Sequence, residues 1–386
     1  MSGVAAQALS HVVRRGLEHM PTTTDGLDDL TRLDFSIFTL IPVAVVLITT
    51  IFLICSVDYT VGSVMASLTM IESPSTTTIV ETAPPAYSDE PDAPLEKKMD
   101  VADVEVVVID HKPITASVVG TIKHLHRIGG FRARWRGLGW SIIYHFAVNF
   151  VGHLFGGLFS GVLGHILAQG LGYTLSVVLM CRLHMVWTHA MIATPTSTSW
   201  SERFIPRKQC KPLLLASLNY AVAQQSIIVL PAMLLLVLSP IVFAFPGLTQ
   251  ASTLQVAFLA FHVVALPTIA ILAALFIYLP AASTLARVEA CLLPQGRETI
   301  VPFDRMAIVG DLDLNERGSA KKLNAAAWKS FTNATRLRLV KLFVKLVAFQ
   351  VAVILVSLHV LGAIAYFSNP EQVSAAFRQL SSNMPW

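Results

Sequence analysis

Residues 35–55 read FSIFTLIPVAVVLITTIFLIC, an unbroken stretch without a charged side chain. A helix of about 20 residues rises about 30 Å, the thickness of the hydrocarbon core of a bilayer. The stretch is not alone. Apolar runs of spanning length recur at 138–169, 170–193, 212–245, 252–279 and 339–367. The chain has 386 residues, of which 54% are hydrophobic and 13% charged, and its mean hydropathy is +0.63. Soluble domains carry about 25% charge. The expected fold class is an all-α integral membrane protein, multi-pass, with about six transmembrane helices.

The net charge of +4 is small, and no nucleic-acid partner is expected from it. Cys55, Cys181, Cys210 and Cys291 are far apart and lack CxxC spacing, which argues against a disulfide framework and a zinc site. The first 35 residues hold no continuous apolar core, so no cleavable signal peptide is expected.

Charge is confined to alternate connections. The links near 169 and 246–252 are short and uncharged. Residues 121–137 carry Lys123, Arg127, Arg132, Arg134 and Arg136 and no acid. Residues 194–211 carry Arg203, Arg207, Lys208 and Lys211 against Glu202. Residues 285–346 hold eleven basic and six acidic side chains. The positive-inside rule places these three loops on one face, cytosolic or matrix-side, and an even span count puts both termini opposite. Localisation is read as a multi-pass membrane, mitochondrial or endomembrane.

Residues 72–113 differ from the rest, with ten acidic and three basic residues among many Pro, Ser and Thr. Such a segment cannot bury enough apolar surface to offset its chain entropy, and disorder is expected. Within it Pro84, Pro85, Ala86 and Tyr87 form a PPxY sequence. Prolines preset the polyproline II shape and tyrosine fills an aromatic groove, so a WW-domain protein is the partner this motif suggests. The full division is a tail (1–34), a first span with extension (35–71), the insert (72–113), a basic surface helix and hinge (114–137), a five-span bundle (138–367) with a charged loop (285–335), and a C-terminal tail (368–386).

After Pro113, Val118, Ile122 and Leu125 follow helical spacing, with Lys123, His124, His126 and Arg127 largely elsewhere. This predicts a short amphipathic helix on the membrane surface. It feeds GGFRARWRGLG at 129–139. Arg132, Arg134, Trp135, Arg136 and Gly137 are the candidate lipid-interface residues: tryptophan prefers headgroup depth, arginine binds phosphate, and glycine turns the chain into the bilayer. Gly130, Trp135, Arg136 and Gly137 resemble the second half of the mitochondrial carrier signature, which implies three repeats of two helices. The partner motifs of that family are missing. At the end of the fifth run Pro280 is in place and Arg287 fits a later basic position, but Ala282 stands where an acid belongs and Leu285 where a base belongs.

A second resemblance covers about residues 115–370. LHMVWTHAMIATP, WSERFIPR, LLPQGRETIVPFDR and GGFRARWRGLGWSIIYHF are similar to signatures of fungal multi-pass membrane proteins often labelled "ubiquitin carrier protein". It implies membership of a membrane family. The conjugation chemistry in the label finds no residues to carry it, since no His-Pro-Asn tripeptide precedes a cysteine and Cys291 has no base beside it. No enzymatic activity, metal or cofactor is expected.

Polar side chains inside the runs are the remaining functional candidates. Arg182 falls about midway along the third run, and an intramembrane arginine is costly enough to suggest function. No acid falls inside another run except Asp58 near an end, which favours a small anionic solute as its counterpart. Arg182, His184, His145, His153 and Gln224 are thus the candidate solute path. Histidines also satisfy backbone carbonyls between packed helices. Gly152/Gly156 and Gly157/Gly161 form overlapping GxxxG spacings, expected to pack within the bundle. Two functions follow: a transporter-like bundle for a small anionic solute, or a non-transporting scaffold or accessory protein, including one serving a fungal biosynthetic pathway, that binds lipid and recruits a WW-domain partner.

Overall fold

The computed structural model describes residues 37–73, 78–81, 106–109, 113–195, 204, 210–243, 253–294, 296–312, 316, 318–368 and 370. Helix α1 (Ile37–Val57) continues through a π-helical turn (Asp58–Met65) into α2 (Ala66–Ile71). Strands β1 (Thr78–Glu81) and β2 (Val106–Ile109) pair antiparallel. Then come α3 (Val118–Gly129), a 3-10 turn (Phe131–Trp135), α4 (Leu138–Leu163), α5 (His165–Leu179) and α6 (Cys181–Ile192). Helices α7 (Lys211–Phe243) and α8 (Thr253–Ala273) follow, and α8 runs through a second π turn (Ala274–Tyr278) into α9 (Leu279–Cys291). Short α10 (Met306–Val309), α11 (Ser319–Lys329) and the long α12 (Asn333–Ser368) complete the described chain.

Five helical rods are long and apolar enough to cross a membrane: Leu40–Ile71, Phe131–Leu163, Lys211–Leu236, Val256–Cys291 and Asn333–Ser368. The pair α5 and α6, bent by 64°, makes a sixth if counted as one span. The chain is a helical, candidate multi-pass membrane protein.

Several rods are longer than a bilayer needs. The last has 36 residues, roughly 54 Å at 1.5 Å per residue, against a core of about 30 Å. The surplus lies at one end of the bundle, and burial marks where it begins. Along the first rod, Ile41, Val45, Ile48 and Phe52 of α1 are exposed, whereas Val64 and Met65 of the π turn and Leu68 and Ile71 of α2 are buried. Along the α8–α9 rod, Phe261, Val264, Ile271 and Phe276 are exposed, and then every residue from Leu279 to Cys291 is buried. Helix α12 runs the other way, with Leu339, Leu342 and Leu346 buried and Val347, Val351, Leu355 and Phe367 exposed. The exposed halves form the apolar belt a lipid solvent requires. The buried halves, with α2, α3, α6 and α11, form an end domain with two apolar clusters.

Close helix approach within the belt depends on glycine. A Cβ on Gly172 of α5 would stand 2.5 Å from the Gly152 carbonyl oxygen and 2.5 Å from the Gly156 nitrogen of α4. Nothing lies within 4 Å of a Cβ on Gly157 or Gly161. One of the two GxxxG spacings therefore makes the α4–α5 contact, and the other faces away from it.

Four expectations are corrected. The fifth run does not end at Leu279 but continues helical to Cys291. Pro280 lacks an N–H, and the π turn before it accommodates the missing bond and the ring. Accordingly the supposed charged loop 285–335 opens as a buried helix and contains α10 and α11. Helix α3 forms where its spacing predicts, with Ser117 capping through Gly120 N–H. Its apolar face packs on protein rather than on lipid, with Leu125 at 0% exposure and Val118 and Ile122 against the main cluster. Last, the insert is ordered at its edges. Glu72 is buried, and the β1–β2 ribbon pairs Thr78 with Ile109. The central part of the insert, including Pro84, Pro85 and Tyr87, lies outside the described residues, as do the tails 1–36 and 371–386.

Candidate functional site

The end domain is tied by polar side chains drawn from distant segments. Glu72, at the end of α2, is 1% exposed. Its carboxylate accepts from Ile114 N–H at 2.6 Å, Thr115 N–H at 3.3 Å and Thr115 Oγ1 at 2.5 Å, and pairs with Arg338 of α12 at 2.9 Å. A buried carboxylate survives only with such a complement of donors. The same latch clamps both roots of the insert side by side. Arg287 of α9 is 3% exposed. It donates to the Met70 carbonyl at 2.8 Å and to Ser330 Oγ at 2.5 Å, satisfying the last turn of α2.

The hinge 129–139 is built into this domain. Trp135 donates its indole N–H to Ser56 Oγ at 3.1 Å. Tyr59 donates to the Arg136 carbonyl at 2.6 Å and accepts from the Trp187 indole at 3.1 Å. The Arg136 guanidinium donates to the carbonyls of Ala190, at 3.2 Å, and Ala193. It thus caps the C-terminus of α6, where a cation also meets the negative end of the helix dipole. Gly137 has φ +74°, and a Cβ there would press on Trp187 and Ala190 at 3.2 Å. Arg134 lies over the Phe131 ring at 4.8 Å, and Arg132 is exposed. Of the five residues read as lipid-facing, Trp135, Arg136 and Gly137 serve the protein's own packing.

Where the belt meets the end domain, α4, α6, α7 and α9 bring polar groups to one place. His184 Nδ1 lies 2.6 Å from Glu289 Oε1, and Glu289 is 0% exposed. The His184 ring is 5.0 Å from Tyr144, 5.4 Å from Trp187 and 5.5 Å from Tyr220, which is 5.7 Å from Tyr278. His189 Nε2 meets the Glu289 backbone carbonyl at 2.7 Å. Glu289 Oε2 and the Tyr144 hydroxyl are buried without a hydrogen-bond partner among the described residues.

The five residues of the expected path separate. His184 joins the cluster just described. His145 packs its ring 5.2 Å from Trp187 and bonds the Ser141 carbonyl of its own helix at 2.8 Å. Gln224 donates to Tyr173 Oη at 3.1 Å. His153 is exposed on the belt. Arg182 is not midway along a straight span. It is the second residue of α6, just past the bend, with its guanidinium 5.7 Å from the Phe204 ring. Burial raises the nearby Cys210 thiol, and the Arg182 charge works against that rise.

Sequence reading missed the interior roles of Glu289, Glu72, Arg287 and Arg338. The signal for Glu289 was present: Tyr278, Leu285 and Glu289 continue a helical spacing past Pro280. The expectation that no acid enters the interior beyond Asp58 is overturned by Glu289. Asp58 itself is exposed and accepts from Gln350 at 3.2 Å.

Together these features define a class, a helical membrane-type bundle whose overhanging spans assemble a polar-tied end domain. No protein-family model, no curated protein and no solved structure matches the chain.

Proposed function

We propose that the protein is a non-transporting membrane scaffold or accessory protein, whose end domain displays the acidic, PPxY-bearing insert to a WW-domain partner. The observation that carries this reading is the use made of the interior polar groups. His184 and Glu289, Gln224 and Tyr173, and His145 and Ser141 bond one another or the backbone, within or between helices. An anionic solute would also meet the buried Glu289 carboxylate, which repels it. The latch at Glu72 adds support, because an insert clamped at both roots is held at the charged face whatever its middle does. The resemblance to fungal multi-pass proteins is compatible with an accessory role, and no conjugation chemistry is proposed.

Two assays test the reading. A WW domain is expected to capture the full-length protein, and Tyr87→Ala to abolish capture. In proteoliposomes, phosphate, citrate and other small anions are expected to enter no faster than into empty vesicles. Anion uptake that falls on Arg182→Ala would overturn the scaffold reading in favour of transport.

A further inference from the structure

A cleft of about 330 Å³ opens between the hinge and the C-terminal end of α6. Arg132, Arg136, Gly137, His189, Thr194 and Arg297 are among its lining residues, and among the described residues no carboxylate side chain lines it. Three arginines from two distant segments therefore meet at one concavity. Loop residues 298–300 bring Arg297 there: Thr194 N–H donates to the Glu298 carbonyl at 2.9 Å, and Ile300 N–H to the Ile192 carbonyl at 2.8 Å. Arg136 is already oriented by the Ala190 and Ala193 carbonyls, so its remaining N–H groups are fixed before any ligand arrives. Holding like charges together costs free energy that an anion would offset.

From this geometry we infer that the cleft is a phosphate-binding site. Guanidinium forks match phosphate oxygens two at a time, and the orientation given to Arg136 lowers the ordering cost of doing so. The cleft sits at the level where the apolar belt begins. Phe131 is 57% exposed on one side, and Ile142 is 63% exposed one turn into α4. That is headgroup depth, so a phospholipid phosphate and a free phosphate are the two sources of the ligand.

The test uses the full-length protein purified in detergent. Native mass spectrometry is run with phosphatidic acid and with phosphatidylcholine, and thermal melting is followed with inorganic phosphate. Phosphatidic acid adducts are expected to persist where phosphatidylcholine adducts do not. Arg132 is exposed, so Arg132→Gln should keep the melting temperature of the ligand-free protein. It is expected to weaken retention about tenfold, the worth of one charge-assisted hydrogen bond. Arg297→Gln should act in the same direction, and Lys322→Gln, on an exposed surface pair, should not. Stabilisation by inorganic phosphate that Arg132→Gln removes, without lipid retention, would support the site with a soluble ligand. Indifference of both ligands to Arg132→Gln and Arg297→Gln would overturn it. Anion uptake in the transport assay bears on the scaffold reading and leaves this cleft untouched.

Discussion

Glu289 has no exposed surface and touches two histidines of α6, His184 through its side chain and His189 through its backbone carbonyl. Removing one partner of a buried pair costs more than the pair contributes, about 3–5 kcal/mol. Glu289→Ala is therefore expected to lower the melting temperature sharply in detergent, and Glu289→Gln, which keeps the shape and one hydrogen bond, to lower it less. Equal melting of Glu289→Ala and wild type would show that the pair does not hold the helices. This residue also shows how sequence reading loses a site. A proline two residues into a helix looks like a stop when neighbours are unknown. With Pro280 taken as the end of the run, Glu289 became a loop charge, and the interior seemed to lack an acid. The anionic-solute expectation rested on that lack.

At the scale of elements, α4 and α5 meet through Gly152, Gly156 and Gly172. Gly172→Ala is expected to destabilise by about 1–3 kcal/mol, because its Cβ would fall on backbone atoms that cannot move aside. Gly157→Ala should be neutral or slightly stabilising, since its Cβ meets open space and alanine favours a helix. Chemical denaturation in mixed micelles separates the two. Helix α6 carries a second prediction. Without the Arg136 guanidinium, the Ala190 and Ala193 carbonyls lose their donors, so Arg136→Ala should cost about 1–3 kcal/mol, and Arg136→Lys should recover part of it. The opening of α4 at Leu138 and the presence of a helix at α3 were legible from spacing and glycine placement. The face that α3 buries was not, because an amphipathic helix reads the same against lipid as against Leu68, Met65 and their neighbours in the main cluster.

For the whole molecule, the apolar runs were legible, since lipid imposes length and composition on any segment that crosses it. The end domain was not. Its ties join residues remote in sequence, as Glu72 with Arg338 and Arg287 with Met70, and no local pattern announces such pairs. The charges that made 285–346 look like a solvated loop are in part the charges that hold the domain together. A bundle built this way needs the overhanging ends of its spans to lie on one side of the membrane. Single cysteines at Arg132, Lys322 and Gly164, in a background lacking the native thiols, can be labelled with an impermeant maleimide in sealed, uniformly oriented vesicles. Arg132→Cys and Lys322→Cys are expected to label together from one side while Gly164→Cys, at the α4–α5 turn, labels only from the other. Labelling of positions 132 and 322 from opposite sides would contradict it.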